Sequence, residues 1–309
     1  MGFSFIMETK LGGQGQKELP RQSSGSFFLK IKYIGEAIIF RHTLFSLPIA
    51  IAAILLESSG RPPVRETVLI LLAAVAGRSA ANAMNRVIDS DIDKKNPRTA
   101  DRHLPAGVLS KKSLLVFSLA MALIVVICAA MLNWLCVLLL PAAAVMIVGY
   151  SFSKRFTWLC HYWLGAACAI APMGAFIGLT GHFAFRYFIL AGAHMFWVAG
   201  FDIIYARLDI EFDRAQNLYS VPARFGETAA ARIAAASHLC SLVCYSLLAF
   251  LWNLSLFYYI AFAAAAGMLV FENLLARGNT PRHIKIASYT VNEIVPFIIL
   301  AGTAAGVYL

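Results

Sequence analysis

Charge is scarce in this chain. Only 14% of its 309 residues are charged, against roughly 25% in soluble domains, which excludes an ordinary water-soluble globule. Strict alternation of apolar and polar residues is missing as well, and this excludes a transmembrane barrel, whose segments of about ten residues alternate. The six cysteines (Cys128, Cys136, Cys160, Cys168, Cys240, Cys244) form no CxxC pair and sit within or at the ends of apolar runs. They read as small buried hydrophobes, not as a redox or zinc site. His161, His182, His194 and His238 lack metal-ligand spacing and read as packing or interfacial residues. The opening MGFSFIMETK lacks the long apolar core of a cleaved signal.

What the chain has instead is long apolar runs. It is 60% hydrophobic, its mean hydropathy is +0.72, and nearly uncharged stretches of helical length recur at 38–56, 67–84, 113–131, 134–150, 162–179, 187–205, 229–250, 254–276 and 288–308. The pattern predicts an all-α integral membrane protein with nine spans. Residues 1–30, rich in Gly, Ser, Gln and charge, predict a flexible tail ahead of a single transmembrane domain over 31–309. In a soluble protein a net charge of +10 would suggest nucleic acid, but here the cations gather before the first span and in the even-numbered loops. They mark the cytoplasmic side, so no nucleic-acid partner is expected. The expected protein is multi-pass in the cell's inner membrane, with its N-terminus and even-numbered loops cytoplasmic and its C-terminus outside.

The second span runs into RSAANAMNRVIDSDIDKKNPRTADRHLPAG, residues 78–107. Asn85, Asp89 and Asp93 fall four apart and form one polar ladder on a helix, with Arg78 and Asn82 continuing the face. An ionised carboxylate costs roughly 2.5–3.5 kcal/mol at the membrane centre, so something cationic must offset this ladder. Mg²⁺ prefers oxygen ligands and binds through one or two carboxylates plus a substrate's phosphate oxygens. The stretch therefore points to a membrane enzyme acting on a diphosphate. Lys94, Lys95, Arg98 and Arg102 follow, suited either to pairing with the acids or to holding a diphosphate. A similar loop returns after the sixth span, where Asp202, Asp209 and Asp213 lie seven and four apart with Tyr205 beside them. Four spans separate the two ladders, so both face the same side. Tyr150, Lys154 and Arg155 in YSFSKRFT follow the fourth span on that side too, and Arg41 stands at the edge of the first.

Two such ladders, with NPRT (96–99) and RHLPAG (102–107) after the first and SVP (220–222) after the second, resemble the aspartate-rich motifs of the UbiA-type intramembrane prenyltransferases. The resemblance covers most of the chain from about Arg41. It implies a nine-transmembrane-helix bundle around a central cavity open laterally to lipid, with cytoplasmic capping loops and two Mg²⁺ ions between the motifs. On that likeness Asn85, Asp89 and Asp93 hold one ion and Asp209 and Asp213 the other. Lys94, Arg98, Lys154 and Arg155 bind the diphosphate. Arg41, Arg78, Asn82, Arg102, Tyr150 and Tyr205 face substrates, and Asp202 is a candidate for acceptor deprotonation. One residue departs from the family pattern: Arg86 stands where an Asp usually follows the motif Asn. NRxID in place of NDxxD looks like the 4-hydroxybenzoate polyprenyltransferase-like branch, some of whose members prenylate dihydroxynaphthoate. The implied partners are a polyprenyl diphosphate, a hydroxylated aromatic acid acceptor and membrane lipid, and the implied pathway is ubiquinone or menaquinone synthesis. Haem or ether-lipid prenylation are rivals within the fold. A cation- or proton-coupled transporter is the rival from another class, although transporters tend to place such charges near the bilayer midplane.

Overall fold

The computed structural model describes residues 27–38, 40–278 and 280–309, with side chains left out for 27, 28, 30 and 40–46. All regular structure among the described residues is helical. The expected tail lies outside the described residues up to residue 26, and its last four residues open α1, Phe27–Ala37. Eight helical stretches are long and apolar enough to cross a membrane. The expected first span corresponds to α2, Phe40–Glu57, whose apolar part is Leu47–Glu57. The exposed surface carries many large apolar side chains, as a lipid-facing bundle requires.

Several helix ends have a local cause. α3, Val64–Lys95, ends at Asn96, whose backbone is extended because Pro97 follows it. Ser110 caps α4, Lys111–Leu132, by accepting from the Ser113 N–H. Asn133 closes α4 and caps α5, Trp134–Ser153. Its amide also donates to Ile177 O and Gly178 O of α6, Cys160–Thr180, at 2.8 and 3.2 Å. α7, Phe185–Ala206, leads through a 3-10 turn at Arg207–Asp209 into the short α8, Ile210–Ala215. Ser220 caps α9, Val221–Leu251, which bends at Gly226, where φ is +79° and only glycine is unstrained. α10, Leu256–Ala276, precedes the short α11, Pro281–Lys285, then a π-helical turn at Ile286–Val291 and α12, Asn292–Tyr308.

α7 is the hub of the bundle, packed along α6 and α9. Lipid offers apolar side chains no incentive to leave it, so helices associate through close packing at small residues. Gly165 of α6 sits against the Met195 backbone, and Gly200 of α7 against the His238 ring of α9; a Cβ at either would collide. α5 lies at the rim, burying only Ser151 and Ser153. At the end away from the acidic ladders, Phe176 stacks on Tyr187 at 4.4 Å and on Trp252 at 5.6 Å. There Arg186 pairs with Glu57 at 2.6 Å, and the Tyr308 hydroxyl donates to Gly60 O at 2.6 Å.

A polar cluster crosses the apolar interior. Asn292 donates to Glu272 Oε1 at 2.9 Å and accepts from the Trp197 indole at 2.6 Å, and Glu272 is fully buried. Each buried group left without its partner costs about 1–3 kcal/mol. Asn292→Leu strips two groups at once and is expected to destabilise the bundle by about 2–6 kcal/mol. Unfolding in detergent by denaturant titration measures this, and an unchanged midpoint would show the cluster to be energetically neutral.

Candidate functional site

The two acids of the first ladder are buried against protein cations. Asp89 and Asp93 are each 5% exposed, a placement that demands partners. Lys154 Nζ lies 3.2 Å and Arg155 Nη2 3.5 Å from Asp89, both brought in by the turn that ends α5. Asn85 donates to Asp89 Oδ2 at 2.9 Å and to Ser151 Oγ at 3.2 Å. Arg102 straddles Asp93, with Nη1 at 2.8 and 2.7 Å from its two oxygens. Arg86, the residue departing from the motif, stands 3.8 Å from Asp93 and donates through Nε to Ala37 O at 3.0 Å. It thereby ties the C-terminal end of α1 to the ladder.

The second ladder meets the first through the loop after α3. Asn96 donates to Asp209 Oδ1 at 3.0 Å, and Arg98 Nε donates to the same oxygen at 2.9 Å. A second Arg98 nitrogen pairs with Asp209 Oδ2, and a third donates to the Tyr205 hydroxyl. Burial works against the charge on Arg98, yet its bonds to Asp209 and the nearby Tyr205 hold its pKa above the ordinary arginine value. Tyr289 donates to Tyr205 at 2.9 Å. Asp213 accepts from Ser220 Oγ at 2.9 Å. Asp202, one turn before Tyr205 on α7, lies 2.7 Å from His161 Nδ1.

Beneath the ladders lies an apolar cavity of about 770 Å³ between α3, α4, α5, α6 and α7. Its lining on α5 runs from Cys136 to Tyr150, about 21 Å at 1.5 Å per residue. Arg78, Asn82, Tyr150, Cys168 and His194 are among the few polar groups on its wall. A smaller chamber of about 220 Å³ adjoins it, lined by Trp197, Phe201, Asp202, Tyr205, Tyr289 and Asn292 among others. The two share Arg78, Leu164, Cys168 and His194 as lining residues. Arg78 donates to Cys168 Sγ at 2.9 Å and has no carboxylate within ion-pair distance among the described residues, while its Nε is buried without a partner.

Most of the residues singled out from sequence thus converge. Asn82 is turned partly aside, donating to Ile38 O at 3.0 Å. Lys94 is exposed on the last turn of α3 and joins neither ladder among the described residues. The Arg41 side chain lies outside the described residues. His161 and Tyr289 join the site with no role expected from the sequence, and Asn96 and Ser220, which stand in the quoted motifs, join it without an assigned task. Ser220 had a signal, a serine with proline two residues on ahead of an apolar helix; His161 had none.

Among the described residues no three acidic, His or Cys side chains converge as a ready-made metal cage. Asp89, Asp93 and Asp209 are turned to protein cations and amides instead, and Asp213 to the Ser220 hydroxyl. Their chemistry nonetheless suits a hard ion such as Mg²⁺. Asp89 Oδ1 is buried without a hydrogen bond, and Asn85, donating through its nitrogen, keeps its carbonyl oxygen uncommitted among the described residues.

A sequence model described as the UbiA prenyltransferase family matches residues 46–292. A 4-hydroxybenzoate octaprenyltransferase of Nitrosomonas eutropha is 28% identical over 274 residues, covering 88% of this chain and 92% of its own. A 4-hydroxybenzoate solanesyltransferase of Synechocystis sp. is 29% identical over 266 residues, covering 83% and 88%. Among solved structures, the apo form of a UbiA homolog from Aeropyrum pernix K1 superposes with a TM-score of 0.78 at 31% identity, covering 85% of this chain and 97% of that one. A UbiA homolog from Archaeoglobus fulgidus bound to GPP and Mg²⁺ shares the fold, with a TM-score of 0.67 at 18% identity over 90% of this chain and all of that one.

Proposed function

The chain belongs to the UbiA prenyltransferase family, and from that premise we propose that it moves a polyprenyl group from a polyprenyl diphosphate onto a hydroxylated aromatic acid, with 4-hydroxybenzoate as the acceptor in quinone synthesis. One observation carries this reading. Two carboxylate sets, bridged by Asn96 and Arg98, stand at the head of a long apolar cavity whose side chamber has aromatic walls.

Each part of the site has a task in that reaction. Lys154, Arg155, Arg98 and Arg102 now neutralise the carboxylates and are within reach of a diphosphate's oxygens, so substrate binding exchanges ion pairs without burying bare charge. Asn85, Asp89, Asp93, Asp209 and Asp213 would hold Mg²⁺, which supplies Lewis-acid charge against the leaving diphosphate. The prenyl tail lies in the 770 Å³ cavity and reaches it from the bilayer beside α5, the least buried helix. The apolar walls keep water from the allylic cation formed when the C–O bond to diphosphate breaks. In the chamber, Arg78 answers the acceptor's carboxylate, and Trp197 and Tyr205 flank its ring. The new bond joins the allylic carbon to a ring carbon beside the hydroxyl, and Asp202 takes the ring proton displaced there. The cations of the even-numbered loops support a site and an N-terminus on the cytoplasmic face of the inner membrane.

The test is purified protein in detergent with Mg²⁺, octaprenyl diphosphate and 4-hydroxybenzoate, with dihydroxynaphthoate in a parallel arm. Prenylated 4-hydroxybenzoate with stoichiometric pyrophosphate, both abolished by a chelator, is the expected result. Product only from dihydroxynaphthoate would move the acceptor to the menaquinone branch. Product from neither would overturn the assignment.

A further inference from the structure

Asp202 is not fixed by its own helix. Its Oδ2 lies 2.7 Å from Nδ1 of His161, on α6. The other ring nitrogen, Nε2, is 3.2 Å from the backbone N–H of Val221. Val221 opens α9, and the first N–H groups of a helix have no partner within it. This one has a proton to give and nothing to accept. Nε2 must therefore accept, which leaves the ring's proton on Nδ1, aimed at Asp202. His161 is only 3% exposed, so water does not compete for either nitrogen.

The two residues ahead of Val221 reach the rest of the site. Ser220 donates from Oγ to Asp213 at 2.9 Å. The Tyr219 N–H donates to Lys154 O at 2.7 Å, and Lys154 carries its ammonium to Asp89. Three consecutive residues thus connect to Asp89 through Lys154, to Asp213, and to Asp202 through His161.

We infer that His161 is a positioning residue for Asp202 and that, through Val221, it makes the orientation of Asp202 depend on the seating of the segment that holds Asp213. The inference rests on the reading of Asp202 as the proton acceptor. With Oδ2 committed to His161, Oδ1 has no hydrogen bond among the described residues and is left for the ring proton. The diphosphate side and the acceptor side are set by one piece of chain, so Asp202 is in register once that piece is down.

The experiment compares wild type, His161→Ala, Val221→Pro, Asp202→Ala and the double variant His161→Ala with Asp202→Ala. Val221→Pro removes the N–H that donates to His161 Nε2 and keeps an apolar side chain in the buried site, at a helix position where proline is compatible and after a Ser220 that is already extended. It keeps the inference testable if His161→Ala fails to fold. Misplacing a reacting group by about 1 Å costs up to about 10²-fold. His161→Ala and Val221→Pro should each lower kcat about 10- to 100-fold, with KM for the prenyl diphosphate nearly unchanged, and the double variant should be no slower than Asp202→Ala alone. A merely structural histidine would instead give losses that multiply, or a raised KM, and either result overturns the inference, as does wild-type kcat in His161→Ala or Val221→Pro. Full activity in Asp202→Ala would sink the reading of Asp202 itself, and an inactive wild type the reaction.

Discussion

Asp89→Ala is expected to slow Mg²⁺-dependent prenyl transfer by about 10²–10³-fold, the usual loss when one preorganised electrostatic partner of a transition state is removed. The substitution takes away a hard oxygen ligand and also frees Lys154 and Arg155, which now share that carboxylate. Asp209→Ala should be as severe for a different reason, since Asp209 is where Asn96 and Arg98 fasten the first ladder's loop to the second. Steady-state rates across a Mg²⁺ titration check both, with size-exclusion profiles in detergent confirming that the variants fold. Near-normal rates in both would remove the carboxylates from the chemistry.

The second large effect concerns the tail of the donor. Gly174 lines the long cavity, and a Cβ built there meets nothing within 4 Å. It lies on α6 fourteen residues beyond Cys160, about 21 Å from the ladder end at 1.5 Å per residue. Gly174→Phe should therefore fold normally and close the far part of the cavity. Overfilling costs about 1–3 kcal/mol, and each 1.36 kcal/mol is tenfold in rate. We expect kcat/KM for octaprenyl diphosphate to fall about 10- to 100-fold, with geranyl diphosphate changed less than about threefold. Equal losses for both donors would mean that the tail leaves the cavity for lipid before reaching Gly174.

The parts of the fold and site that could be read from sequence are those encoded locally. Apolar runs mark seven spans within a few residues of α2, α4, α5, α6, α7, α10 and α12, whereas α3 and α9 extend eight or more residues beyond their runs, and spacings of four put Asn85, Asp89 and Asp93 on one face of α3. The start of the chain was harder: α1 begins within the expected tail, because a short helix beside the bundle is held by contacts such as Arg86 to Ala37 and not by its own pattern. Which cation serves which acid was also hidden. Arg102 and Lys94 look alike beside the ladder, yet Arg102 turns back onto Asp93 while Lys94 stays exposed, a choice made by the loop that Pro97 starts. Asn96 and Arg98 find Asp209 more than a hundred residues away, and no spacing reports that. In the sequence His161 looks like a packing residue, because its partners, Asp202 and the Val221 N–H, come from two other helices.

The Glu57–Arg186 pair and the stacked Phe176, Tyr187 and Trp252 have a consequence for the cell. They fill the bundle at the end where a pore would need its second mouth. Polar at the ladder end and packed with stacked rings and an ion pair at the other among the described residues, the bundle is expected to leave a proton gradient across liposomes that hold it decaying no faster than across empty ones.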